Sequence, residues 1–149
     1  MLKKILLAID GSEQGMKAAD YAIRLAQIQG GEVEIIYVVP ESDRILTDDA
    51  YLDPVLGLRL KEQAAKALKE AGEKILAQGK AKFQDTGVSH TTKLMMGDPA
   101  EEILQEAEKQ NVDVIVMGSR GLSGLTRFVL GSVSNKVVSH AKCSVFIVR

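Results

Sequence analysis

Val114-Ile115-Val116-Met117-Gly118-Ser119-Arg120-Gly121 passes from an apolar run into small and polar residues, and Gly131-Ser132-Val133-Ser134 then opens a helix-like pattern on hydroxyl-bearing residues. A strand feeding a glycine-containing loop that ends at a helix N-terminus makes an anion cradle. Glycine lets the backbone approach closely, and the first helical amides lack intrahelical partners. No lysine is required for that purpose. Taken alone, the same residues describe an ordinary turn, so the surrounding chain must decide.

Downstream of the loop, the spacing predicts a helix over 132–140 and a closing strand over 144–148. Upstream, Asp98-Pro99-Ala100-Glu101 combines a capping aspartate, a proline at the first helical position and a glutamate that completes a capping box. Ile103, Leu104 and Ala107 of that helix face inward, and residues 112–117 form the strand entering the loop.

At the other end of the chain, residues 5–9 are nearly all apolar, as in a parallel strand covered on both faces. Ser12 caps a helix running to about residue 29, with Ala19, Ala22, Ile23 and Ala26 at helical spacing and Gly30-Gly31 as its stop. Residues 32–39 read as a second strand ended by Pro40. Residues 41–56, with Asp43, Asp48, Asp49 and Asp53, read as a surface connection carrying solvated charge. A long helix is predicted over 58–83 on the stripe Ala64, Leu68, Ala71, Ile75 and Leu76, weakened at Gly72 and Gly79, with a bend or early end near Gly79. Residues 89–95, less apolar, make a third strand at the sheet edge.

This alternation predicts one α/β domain over 1–149, with a five-stranded parallel sheet and helices on both faces. In the strand order 3-2-1-4-5, the winding reverses between strands one and four. Asp10 and the glycine loop then meet at the crevice where such sheets bind ligands.

The 149 residues are 46% hydrophobic and 26% charged with a net charge of -1, which gives no electrostatic reason to expect nucleic acid. The opening apolar run ends at Asp10 and no later run reaches membrane length, so a soluble, cytoplasmic protein without membrane insertion is expected. Cys143, alone in the sequence, forms no intramolecular disulfide and reads as a buried small hydrophobe. His140 reads as a helix C-terminal residue and His90 as a strand-edge surface residue. Neither has partners spaced for a catalytic unit, so no catalytic residue and no metal-ligand cluster are predicted. The Gly79-Lys80 pair is followed by Ala81, which excludes a Walker loop, and residues 10–15 lack the dinucleotide glycine pattern. A nucleophile elbow is also absent.

What remains is Gly118-x-x-Gly121, nine residues, then Gly131-Ser132. With the opening Lys4-Ile-Leu-Leu-Ala-Ile-Asp10-Gly-Ser12 and the close Ser139-His140-Ala-Lys-Cys143-Ser-Val-Phe-Ile-Val148, this pattern resembles the ATP-binding branch of the universal stress protein family over essentially the whole chain. The resemblance implies a Rossmann-like adenine-nucleotide fold. Gly118, Gly121, Gly131 and Ser132 would contact the triphosphate, with Ser119, Arg120, Ser123, Val133 and Ser134 close by and Met117 lining the pocket. The backbone of 118–121, the amides of 132–134 and the Ser132 and Ser134 hydroxyls would donate. Val38 would read adenine through its backbone, and Ala8 and Asp10 would flank base and ribose; alternatively Asp10 helps hold Mg2+ or Mn2+ on the phosphates. ATP is the implied ligand, and ADP, AMP or cyclic AMP would share its base contacts. The family further implies a stress-response sensor or switch acting on a client protein, with at most slow ATP hydrolysis or autophosphorylation. It also implies a homodimer through 144–148, whose Val145, Phe146, Ile147 and Val148 form an apolar edge. Two other readings stay open: an ATP-using enzyme of a related fold, although its Ser-Gly-Gly-x-Asp and His-x-Gly-His signatures are missing, and a partner-binding domain without nucleotide.

Overall fold

The computed structural model describes residues 1–41, 53–120 and 129–149. Its elements run β1 (Lys4–Ala8), α1 (Glu13–Gln29), β2 (Glu32–Val39), α2 (Pro54–Ala81), β3 (His90–Met96), α3 (Pro99–Lys109), β4 (Val114–Gly118), α4 (Ser132–His140) and β5 (Ser144–Val148). The five strands form one parallel sheet in the order β3-β2-β1-β4-β5.

Alternation along the strands separates two cores. Ile5, Leu7, Val33, Ile35, Val114 and Val116 meet the small face of α1 (Ala18, Ala19, Ala22, Ala26) and Leu76 of α2. Leu6, Ala8, Ile36, Val38, Ile115 and Met117 meet Ala100, Ile103 and Ala107 of α3 and Val137 of α4. The short side chains of α1 let that helix lie close to the sheet, and Ile5 pairs with Val114 in the register that aligns the carboxyl ends of β1 and β4.

Capping follows the sequence. The Ser12 side chain accepts from Gly15 N–H, Gly30 ends α1 at φ 67° and Asp98 accepts from Glu101 N–H. The beginning of α2 departs from expectation. Asp53 is not part of a surface connection but the N-cap, accepting from Val55 and Leu56 with Pro54 in the first turn. The remainder of that connection, 42–52, lies outside the described residues. The helix α2 continues through Gly79 to Ala81, and Ala71 is exposed while Gly72 turns inward. A Cβ on Gly72 would stand 2.8 Å from the Tyr37 ring, so glycine there permits close packing of helix on sheet.

Of the minor assignments, those of His90 and Cys143 shift and that of His140 holds. His90 starts the edge strand β3 but is half-buried, with its ring 5.0 Å from that of Phe83. Cys143 is half-buried too, and burial pushes its thiol up. His140 directs Nδ1 to the Lys136 carbonyl at 2.9 Å within the last turn of α4. Among the described residues, no helix is long and apolar enough to cross a membrane.

Candidate functional site

Between β1 and β4, at their carboxyl ends, the sheet opens into a cleft of about 260 Å³. Ten of the sequence-predicted residues line it: Ala8, Asp10, Val38, Met117, Gly118, Arg120, Gly131, Ser132, Val133 and Ser134. Gly121 and Ser123 lie outside the described residues. Sequence reasoning missed Ile9, beside Asp10, and Ile36, Tyr37, Pro40, Pro99 and Ile103, which complete the walls from β2 with its following proline and from α3. Pro99 and Ile103 belong to a helix whose start was legible, but nothing in its pattern says that its first turn faces a crevice between other strands.

The cleft is two-sided in chemistry. Ile36, Val38, Ile103 and Met117 give one apolar wall. The N-terminus of α4 also lines the cleft; Gly131 is its cap, and among the described residues no side chain caps the helix. The first helical bond runs from Asn135 N–H to Gly131 C=O at 2.9 Å, so the amides of Ser132, Val133 and Ser134 precede the helical ladder. Three donors and the positive end of the helix dipole therefore stand at the cleft.

Two donors at the start of the loop have protein partners. Ser119 N–H donates to Val148 C=O at 2.8 Å and Arg120 N–H to Gln14 Oε1 at 3.0 Å. Of the 118–121 amides expected to donate to an anion, those of Ser119 and Arg120 are thus held by protein acceptors. Ser119 itself is buried and outside the cleft lining, with its hydroxyl donating to Gln14 Oε1 at 3.0 Å. The Ser134 hydroxyl is likewise committed, to the carbonyls of Ser119 at 2.7 Å and Gly131 at 3.1 Å, whereas Ser132 is exposed. Gly118 answers to packing as well: a Cβ there would come within 3.1 Å of Gln14 Cβ and 3.3 Å of Gly15 N.

Asp10, two residues beyond β1, forms an Asx-type turn, its Oδ1 accepting Ser12 N–H at 2.9 Å, and it still lines the cleft. Tyr37 stands on the same side; burial, and then the Asp10 carboxylate, push its phenol above the ordinary range. Neither histidine belongs to the cleft lining. Among the described residues, no group of three or more His, Cys, Asp or Glu converges to hold a metal ion.

The profile of the universal stress protein family matches residues 1–149. The universal stress protein YxiE of Bacillus subtilis is 40% identical over 152 aligned residues, covering 100% of each chain. Among solved structures, the hypothetical protein MJ0577 superposes with a TM-score of 0.84 at 27% identity, over 99% of this chain and 96% of that one. A universal stress protein in complex with cAMP shares the fold at 20% identity and a TM-score of 0.66, over 99% of this chain and 97% of that one. On the full-length profile match and on relatives of this identity, the chain belongs to the universal stress protein family.

Proposed function

We propose that the cleft binds an adenine nucleotide, ATP in the first place, and that the protein acts as a nucleotide-dependent sensor or switch in a stress response. The observation that carries this reading is the N-terminus of α4, without a side-chain cap among the described residues, opening on a crevice that also has an apolar wall. The amides of 132–134 suit phosphate oxygens. Ile36, Val38, Ile103 and Met117 suit a flat, apolar base, and the Val38 backbone lies at that wall. The fold neighbour in complex with cAMP supports an adenine nucleotide as a ligand class for this architecture. Among the described residues Asp10 is the one acidic side chain in the cleft lining, so a Mg2+ or Mn2+ ion held there would take most of its ligands from the phosphates and water. Neither histidine is placed to activate water, so binding rather than turnover is the natural use of the cleft.

Denaturing the purified protein and chromatographing the supernatant should release ATP, ADP or AMP; failing that, added ATP should bind by calorimetry. The absence of both release and binding would sink the proposal. Ser132→Pro sharpens the test. Proline is favoured at the first helical position, and Gly131 already has the extended ψ of 161° that a residue preceding proline adopts. Removing that one amide should leave folding unchanged and weaken ATP about tenfold relative to Ser132→Ala, as expected for one charge-assisted hydrogen bond. Equal affinities would remove the α4 terminus from the site.

A further inference from the structure

Gln14, in the first turn of α1, reaches across to the segment leaving β4 and accepts two hydrogen bonds on one oxygen. These come from Ser119 Oγ at 3.0 Å and from Arg120 N–H at 3.0 Å. A backbone amide only donates, so the orientation of the side-chain amide is fixed with Oε1 toward Arg120. Ser119 gathers the remaining ties. Its carbonyl accepts Gly131 N–H at 2.8 Å and Ser134 Oγ at 2.7 Å, and its N–H donates to Val148. The two ends of the loop between β4 and α4 are thus knotted at one residue, which Gln14 ties to α1 through its side chain and Val148 ties to β5 through its backbone. The absence of a side chain at Gly118 is what allows Gln14 to sit this close.

We propose that Gln14 is a positioning residue for the phosphate end of the cleft: by holding Ser119 and Arg120 it fixes the base of the loop relative to the α4 amides. This rests on the nucleotide reading above and extends it to a residue that touches no ligand. A preorganised anion site binds more tightly because the ordering of its parts is completed on folding.

The test compares ATP with adenosine, which lacks phosphates, in the full chain. Gln14→Leu keeps the bulk and removes the acceptor. It should weaken ATP about tenfold, roughly the worth of one or two buried hydrogen bonds, and adenosine by less than about twofold. Amide hydrogen exchange at Arg120 should accelerate by about the same tenfold, and Gln14→Glu, which retains the acceptor, should restore slow exchange. Ala22→Gly, which loosens the same helix away from the loop, should keep the wild-type ratio of ATP to adenosine affinity. Equal losses for ATP and adenosine in Gln14→Leu, or unaltered Arg120 exchange, would overturn the proposal. Wild-type protein that binds neither ligand would instead overturn the nucleotide reading, and the exchange measurement would still decide whether Gln14 is a tie.

Discussion

On β2, Glu34 holds a carboxylate oxygen, Oε2, that is buried and has no hydrogen-bond partner among the described residues. Burial raises its pKa first and the Glu106 carboxylate on α3 raises it further, against opposing pulls from Lys93 on β3, Lys109 on α3 and Lys4 on β1. Glu106 ends on the other side of normal. Burial works to raise it, but hydrogen bonds from Lys93 Nζ at 2.8 Å and Gln110 Nε2 at 2.9 Å outweigh that and lower it. One carboxylate of the pair is well solvated by protein and its neighbour is not. For Glu34 the folded pKa lies above the unfolded one, so the stability it lends is complete below the unfolded value and is lost as pH rises through the folded value. Glu34→Gln should therefore match wild type near about pH 4 and melt a few degrees higher by about pH 8. Thermal unfolding across that range checks it, and parallel curves would discard the assignment.

Two of the buried glycines of α2, Gly72 and Gly79, have replacements with opposite expected signs. Alanine normally stabilises a helix interior by about 1 kcal/mol over glycine. At Gly79, a Cβ would meet Ile9 Cδ1 at 2.6 Å, the far end of a flexible side chain that can turn away. At Gly72 it would meet the Tyr37 ring at 2.8 Å and Leu94 Cδ1 at 2.9 Å together, and overpacking of that kind costs about 1–3 kcal/mol. Gly79→Ala should be neutral to stabilising and Gly72→Ala destabilising by about 1 kcal/mol net in urea denaturation. The reverse order would show that α2 does not rest on Tyr37. The same helix shows why part of the chain was illegible. The start signal Asp53-Pro54 is a good one, but it stands at the end of an acidic run and reads with it. By contrast, Ser132–His140 and Ser144–Val148 were read at their observed bounds because glycine and an abrupt return of apolar residues mark each change. An exposed alanine beside a buried glycine, as at 71 and 72, reverses the usual size signal for a core face.

At the scale of the molecule, β5 is an outer strand, bonded to β4 alone. Phe146 is 37% exposed there and lies 5.4 Å from the ring of Tyr21, itself exposed, whereas Val148 is buried. The apolar edge is thus narrower than the sequence suggests, though its main-chain groups remain a template for pairing. We propose that two copies pair along Ser144–Val148. Light scattering should give a dimer at micromolar concentration and a monomer for Phe146→Glu; a wild-type monomer would end the idea. The site was legible to a similar degree. Residues on β1, β4 and α4 follow from where strands end, whereas the walls from β2 and α3, and Gln14, depend on how separate elements meet. Ser119 donates its amide to Val148, so the neck of the ligand loop and the outer strand share a bond. That bond makes the two proposals reciprocal. Any factor by which a bound nucleotide tightens pairing through Ser119 and Val148 is the factor by which pairing tightens the nucleotide, so a dilution series and a ligand titration would report one coupling constant from two directions.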